Sequence, residues 1–218
     1  LNNVSFNWKK FLLLLAAKVT AVFSSLTRSE RVKVLILDDS VITRNRSKAA
    51  ELLARVYDHV THKYQKGFTM LTLGWSDGYS FVPVGFNMLS SSKPTNRYQE
   101  ISDKIDHRTN GYKARKESLL SKPEAAILLI QRALHAGIQA DYVLMDTWFT
   151  TEPMLVQILA CGIDVIGMVK QLKQRYSYRG KDYTLPGLRR FVRFESGKNI
   201  FGSVIVTTKT GIPVKIVI

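Results

Sequence analysis

Two short apolar runs stop on aspartate, and few folds accommodate that pattern twice. Residues 34–37 read Val-Leu-Ile-Leu and lead into Asp38 and Asp39; residues 142–145 read Tyr-Val-Leu-Met and lead into Asp146. Runs without polar alternation mark strands covered on both faces, the kind found in sheets flanked by helices. The neighbouring segments supply such helices. Ser121 and Glu124 have capping-box spacing, Pro123 stands in the first turn, and Gly137 follows the end. Ala125, Leu128, Leu129, Ala133 and Leu134 recur with roughly helical period. Thr151-Glu152-Pro153 opens a further helix that Gly162 closes, and residues 164–169 form a third core strand. Buried strand, helix, strand, helix, strand is the order of a mixed α/β sheet.

The rest of the chain is arranged around that frame. Residues 8–26 read as an amphipathic helix. The apolar run 11–17 inside it is too short for a bilayer, which needs about 20 such residues, and no clean cleavage site makes it a signal peptide. Residues 68–75 and 79–88 are strand-like and flank Ser76-Asp77-Gly78, a tight hairpin turn. The polar, basic segment 41–66 is expected to hold a helix over 48–57, and 90–118 to be a long, exposed, basic loop. Past Lys170 the pattern shifts to short strands over 176–183, 187–194 and 201–218, joined by Gly-containing turns. The expected organisation is an N-terminal helical segment (1–30), an α/β core (31–170) and a β-rich segment (171–218). The chain starts on Leu1 and stops within strand-like residues 214–218, so it reads as part of something longer.

Charge narrows the partners. Lys and Arg number 32 against 17 Asp and Glu, a net +15 at pH 7, with 45% hydrophobic residues. This is a folded protein suited to a polyanion and poorly suited to a neutral metabolite. Cys161 is the sole cysteine, which excludes an internal disulfide and a Cys-cluster zinc site. Residues 170–198 carry nine basic side chains against Asp182 and Glu195. Lys170, Lys173, Arg175, Arg179, Lys181, Arg189, Arg190 and Arg193 are therefore expected to bind DNA, with Tyr176, Tyr178, Tyr183 and Phe191 placed to stack on bases. Lys63, Lys66, Arg97, Lys104 and Arg108 are further candidates for phosphate contact, each as readily explained as solvated surface. His59 and His62 lack companions for a metal set, and Trp75, Trp148 and Cys161 read as packing residues. No Gly-rich phosphate loop and no GxSxG motif occurs.

Chemistry gathers beyond the carboxyl ends of strands in open α/β sheets. If the two Asp-terminated strands lie parallel and adjacent, their carboxylates come close, and like charges that close call for a cation between them. Oxygen donors select hard ions such as Mg²⁺ or Mn²⁺. Two such ions about 3.5–4 Å apart serve phosphodiester cleavage. The plainer reading is that each Asp caps a loop in solvent. The strongly basic chain around the pair favours phosphodiester chemistry.

Leu37-Asp38-Asp39-Ser40, then Leu144-Met145-Asp146-Thr147-Trp148-Phe149, resembles the first two acidic motifs of DDE-type insertion-sequence transposases, over roughly residues 32–218. More narrowly it is similar to the insertion-sequence-four group, a ribonuclease-H-like core interrupted by a β-rich insertion. There the first Asp precedes Ser or Thr, which selects Asp39 over Asp38. The resemblance implies Asp39 and Asp146 as catalytic residues and ligands of two Mg²⁺ or Mn²⁺ ions. It implies strand cleavage at transposon ends and attack of the freed 3′-hydroxyl on target DNA. Double-stranded DNA would be the partner, a homodimer would synapse two ends, and no membrane would be involved. The location would be the bacterial cytoplasm, on the nucleoid when DNA-bound. The family's third acidic residue, a Glu on a helix beyond the insertion, has no counterpart here; Glu152 and Glu195 stand too early. The chain is thus expected to be truncated and inactive by itself. The rivals are a ribonuclease-H-like nuclease, against which the β-rich segment speaks, and a non-catalytic DNA-binding remnant.

Overall fold

The computed structural model describes residues 3–27, 30–170, 174–192 and 202–217. Its main sheet has six strands: β1 (Val34–Thr43), β2 (Ala54–Asp58), β3 (Lys63–Ser76), β4 (Phe81–Leu89), β5 (Tyr142–Met145) and β6 (Asp164–Gly167). The order is β2-β3-β1-β5-β6, and β4 shares an edge of the long β3 with β2. β1 runs antiparallel to β3 and parallel to β5, and β5 is parallel to β6. Antiparallel partners follow one another through short turns, whereas parallel partners need a crossover. Two helices serve as crossovers, α3 (Lys122–His135) before β5 and α4 (Glu152–Ala160) before β6. The result is a mixed α/β sheet flanked by helices, as expected.

Strand alternation decides which residues meet the helices. On β3, Leu71, Leu73 and Trp75 are buried, and their partners on β1 are Asp39, Leu37 and Leu35. Asp39 thus shares the core face, while Asp38 lies on the other. The core joins these residues to Val143, Met145, Ala125, Ile130, Ala133, Met154 and Ile158. The N-terminal helix α1 (Trp8–Leu26) spans the residues its periodicity indicates and sets Ala16 into the same core. Among the described residues no helix is long and apolar enough to cross a membrane.

Three expectations are corrected. Residues 48–57 are not helical: after a turned segment, residues 54–58 pair with 63–67 of β3. Ladder bonds and burial of Leu52, Leu53 and Ala54 outweigh local helix propensity there. The loop 90–118 contains α2 (Asn110–Glu117), capped by the Thr109 hydroxyl. Glu117 of α2 accepts from Lys9 of α1 at 2.9 Å and from Arg132 of α3 at 2.6 Å, tying three helices. Burial depresses the Lys9 pKa, and the Arg132 and Lys9 hydrogen bonds hold Glu117 below the usual carboxylate range despite its own burial. The expected strand over 187–194 is instead α5 (Leu185–Leu188) and a 3₁₀ turn (Arg189–Phe191), with Thr184 as N-cap and Pro in the first turn. The remainder of that segment lies outside the described residues.

A second antiparallel sheet has the order β10-β9-β7-β8, from β7 (Tyr176–Tyr178), β8 (Lys181–Tyr183), β9 (Ser203–Thr207) and β10 (Pro213–Val217). Tyr176, Leu188, Val192, Val204 and Val206 form its core. It meets the main sheet through Glu152, whose Oε1 accepts from both the backbone and the hydroxyl of Thr210 at 2.6 Å. Hydrogen bonds from Thr208 and Thr210 hold the Glu152 carboxyl below its ordinary range.

Candidate active site

Asp39 and Asp146 come from neighbouring parallel strands. The β1–β5 ladder pairs Leu37 with Met145, so Asp39 lies two residues beyond the last pair and Asp146 one. β1 does not stop at the carboxylates. It continues through them to Thr43, because the long β3 keeps pairing with it. Asp38 is exposed, and its side chain accepts the Asp39 N–H at 2.8 Å.

A lysine pairs with Asp39 and stands over the turn that carries Asp146. A crossover helix returns antiparallel to its strands, so the start of α3 arrives at their carboxyl ends. Its first residue, Lys122, donates from Nζ to Asp39 Oδ2 at 2.8 Å and stands 4.5 Å from the centroid of the Trp148 ring. The Asp39 side chain keeps 17% of its accessible surface, Lys122 20%. Trp148 belongs to the turn after β5. Its backbone N–H and that of Phe149 donate to Asp146 Oδ1 at 2.9 and 3.2 Å. The Thr150 hydroxyl closes the same turn onto the Asp146 carbonyl at 2.6 Å. Gly167 at the end of β6 abuts Thr150, and a β-carbon there would collide with the Thr150 hydroxyl. The Asp146 carboxylate is therefore oriented by its own turn, and the Asp39 carboxylate by a lysine.

In kind, these donors suit a hard divalent cation, since both are carboxylates. In number they are two, and among the described residues no group of three or more metal-ligating side chains occurs. Glu152 is engaged with the turn between β9 and β10 and adds nothing here. Lys122 is absent from the sequence reading, which takes Trp148 for a packing residue. Trp148 is a partly exposed ring beside the ammonium rather than a packing residue; Trp75 is fully buried, its Nε1 donating to the Gln139 carbonyl. The cavity of about 910 Å³ between α1, β4, α2 and α3 is lined by none of the strand-end residues.

Lys170, Arg175, Arg179, Lys181, Arg189 and Arg190 are all exposed, and Lys173 and Arg193 lie outside the described residues. Arg179 sits at the β7–β8 turn, its guanidinium 5.1 Å from the Tyr178 ring centroid. The aromatics are not placed for bases as expected. Tyr176 is buried, and Tyr178 and Tyr183 each pack against Phe191 at 5.0 Å. A sheet of short strands has few other large apolar groups from which to build a core. His59 and His62 lie in the β2–β3 turn, not on a helix, and His59 packs against Tyr57.

Strand-end carboxylates in a mixed α/β sheet, on a strongly basic chain, are the arrangement of a nuclease-type protein. The family model described as DDE superfamily endonuclease matches residues 1–179, and the chain belongs to that family. Among solved structures the chain is similar to the Drosophila P element transposase strand transfer complex, at 8% identity and a TM-score of 0.30, over 79% of this chain and 37% of that one. A likeness of that size carries no functional inference. No curated protein matches the chain.

Proposed function

We propose that the chain is a catalytic core of a DNA transposase of the insertion-sequence-four type, with Asp39 and Asp146 as its first two acidic residues. The observation that supports this most is the parallel β1–β5 pairing, which puts both aspartates at one end of the sheet. A divalent ion such as Mg²⁺ or Mn²⁺ supplies activation of the attacking oxygen and charge neutralisation at the phosphate when bound. Asp39 and Asp146 would hold it. The Trp148 and Phe149 N–H groups fix the Asp146 carboxylate for that purpose, and Lys122 neutralises Asp39 while the ion is away. Duplex DNA is the substrate in this reading, and synapsis of two ends would use two copies.

The Lys122–Asp39 ion pair also favours a second reading, a DNA-binding protein without turnover, because a resident ammonium competes with a metal for the same carboxylate. Manganese binding separates the two. In the transposase reading the chain binds Mn²⁺, followed by electron paramagnetic resonance, and Asp39→Asn or Asp146→Asn weakens binding at least tenfold. Mn²⁺ affinity indifferent to both substitutions establishes the second reading. With two carboxylates and no third beside them among the described residues, the chain by itself is expected not to nick supercoiled DNA in Mg²⁺. Strong nicking lost in Asp146→Ala would show that another internal carboxylate completes the site.

A further inference from the structure

The β2–β3 hairpin carries a surface that the catalytic reading does not use. β3 pairs with β1 only from Gly67 onward, so its preceding residues and β2 form a two-stranded ribbon projecting from the sheet. On this ribbon Arg55 is directly opposite Lys66, and Tyr57 is directly opposite Tyr64. Arg44, just past β1, donates its N–H to the Lys66 carbonyl at 2.7 Å and extends the basic row to a third strand position. Lys63 follows at the base of the turn.

Like charges directly opposite each other weaken a sheet. Here nothing nearby offsets them. Among the described residues Arg44, Arg55, Lys63 and Lys66 have no ion-pair partner. Of the nearby carboxylates, Glu51 is held by Arg115 and the Ser102 N–H, and Asp58 is spent capping its own turn through Val60 and Thr61. Two of the cations are nevertheless held in place. The Arg55 guanidinium lies 4.0 Å from the centroid of Tyr64, itself 59% exposed, and Lys66 Nζ lies 4.9 Å from that of Tyr98. Cations positioned in advance lose less entropy on binding.

We propose that the β2–β3 ribbon is a duplex-DNA-binding element that lays Arg55, Lys66 and Arg44, which share one face, against phosphates flanking the major groove. A two-stranded ribbon fits that groove, which is about 12 Å wide. Adjacent strands are about 4.8 Å apart, so two strands with their side chains fit within that width. The proposal extends the DNA-processing reading but uses none of its catalytic residues.

The test titrates a fluorescein-labelled mixed-sequence duplex into the full chain at several salt concentrations. Each lost phosphate contact should flatten the slope of log affinity against log salt by about 0.9. For Arg55→Gln with Lys66→Gln the expected result is a slope shallower by about 1.8, with a melting temperature unchanged or raised because a like-charge pair is gone. The charge-keeping exchange Arg55→Lys with Lys66→Arg should retain the slope. An unchanged slope in the Gln pair overturns the proposal, as does a loss confined to binding of phosphatidylglycerol vesicles. Asp39→Asn and Asp146→Asn serve as the independent arm. Should they leave Mn²⁺ binding unaltered, the catalytic reading fails while the ribbon result stands by itself.

Discussion

At the residue scale, Asp77 shows how a turn carboxylate is held ionised. Its Oδ1 accepts the Ser80 N–H at 2.8 Å and the Tyr79 N–H at 3.1 Å, and Arg31 reaches Oδ2 at 2.8 Å. The Ser80 backbone bond, followed by Arg31 and the Tyr79 N–H, lowers the carboxyl pKa to about 2. The folded value lies below the unfolded one near 3.9, so this group's contribution is complete above about pH 4 and is lost as pH falls toward 2. Discounted for solvent near the turn, it is of order 1–2 kcal/mol. Urea unfolding of Asp77→Asn should therefore show a lower midpoint at pH 7 and a weaker decline between pH 4 and 2 than the parent; parallel pH profiles would contradict it. Alternation along β1 sets Asp39 on the core face and Asp38 on the other, whereas the sequence singles out Asp39 only through the Ser that follows it in the resembled motif. Lys122 was not legible, because it reaches Asp39 through the crossover of α3 and leaves no local signal; Trp148 stands in the quoted motif, but its place beside the lysine is a tertiary fact.

At the scale of elements, α3 is the best specified. Ser121 and Glu124 form the reciprocal capping box, the Glu124 carboxylate accepting the Ser121 N–H at 2.9 Å, and the basic residues Arg132 and His135 stand in its last turn. The Ser121 bonds pull the Glu124 carboxyl below its usual pKa. Ser121→Ala should cost about 1 kcal/mol, a fall of roughly 2–4 °C in melting temperature for a chain of this size. It should also loosen Lys122 at the first turn, and a rise in Mn²⁺ affinity in the same variant would report that loosening. An unchanged melting temperature would mean the cap is redundant with core packing. α3 and α4 through their punctuation, α1 through its amphipathic pattern, and the Asp77 hairpin were readable from sequence. The segment 48–57 was misread because its pairing to β3 is a tertiary fact, and 187–194 because a Thr-Leu-Pro helix start was passed over for the surrounding β pattern.

At the scale of the whole molecule, the net charge of +15 falls on both sheets, so DNA affinity as a whole should fall steeply with salt while the ribbon accounts for only part of the slope. The two sheets keep separate cores and meet through Glu152 and the turn at Thr210. The parallel ladder between β1 and β5 has a kinetic consequence. Lys33 donates to Asp141, 108 positions away, whereas β1, β3 and β4 pair with close neighbours in the chain. Closing a long loop costs chain entropy before any contact repays it, so local pairings form ahead of distant ones. The β3–β4 hairpin should become protected early in refolding, and β5 should dock late, after α3 has formed. Pulse-labelled hydrogen exchange should show amides of Leu71 and Leu73 protected before those of Val143 and Met145; simultaneous protection would refute this order. Asp39 is thus in its strand before Asp146 arrives beside it, and an interrupted or slowed refolding yields a chain that holds half of its acidic pair.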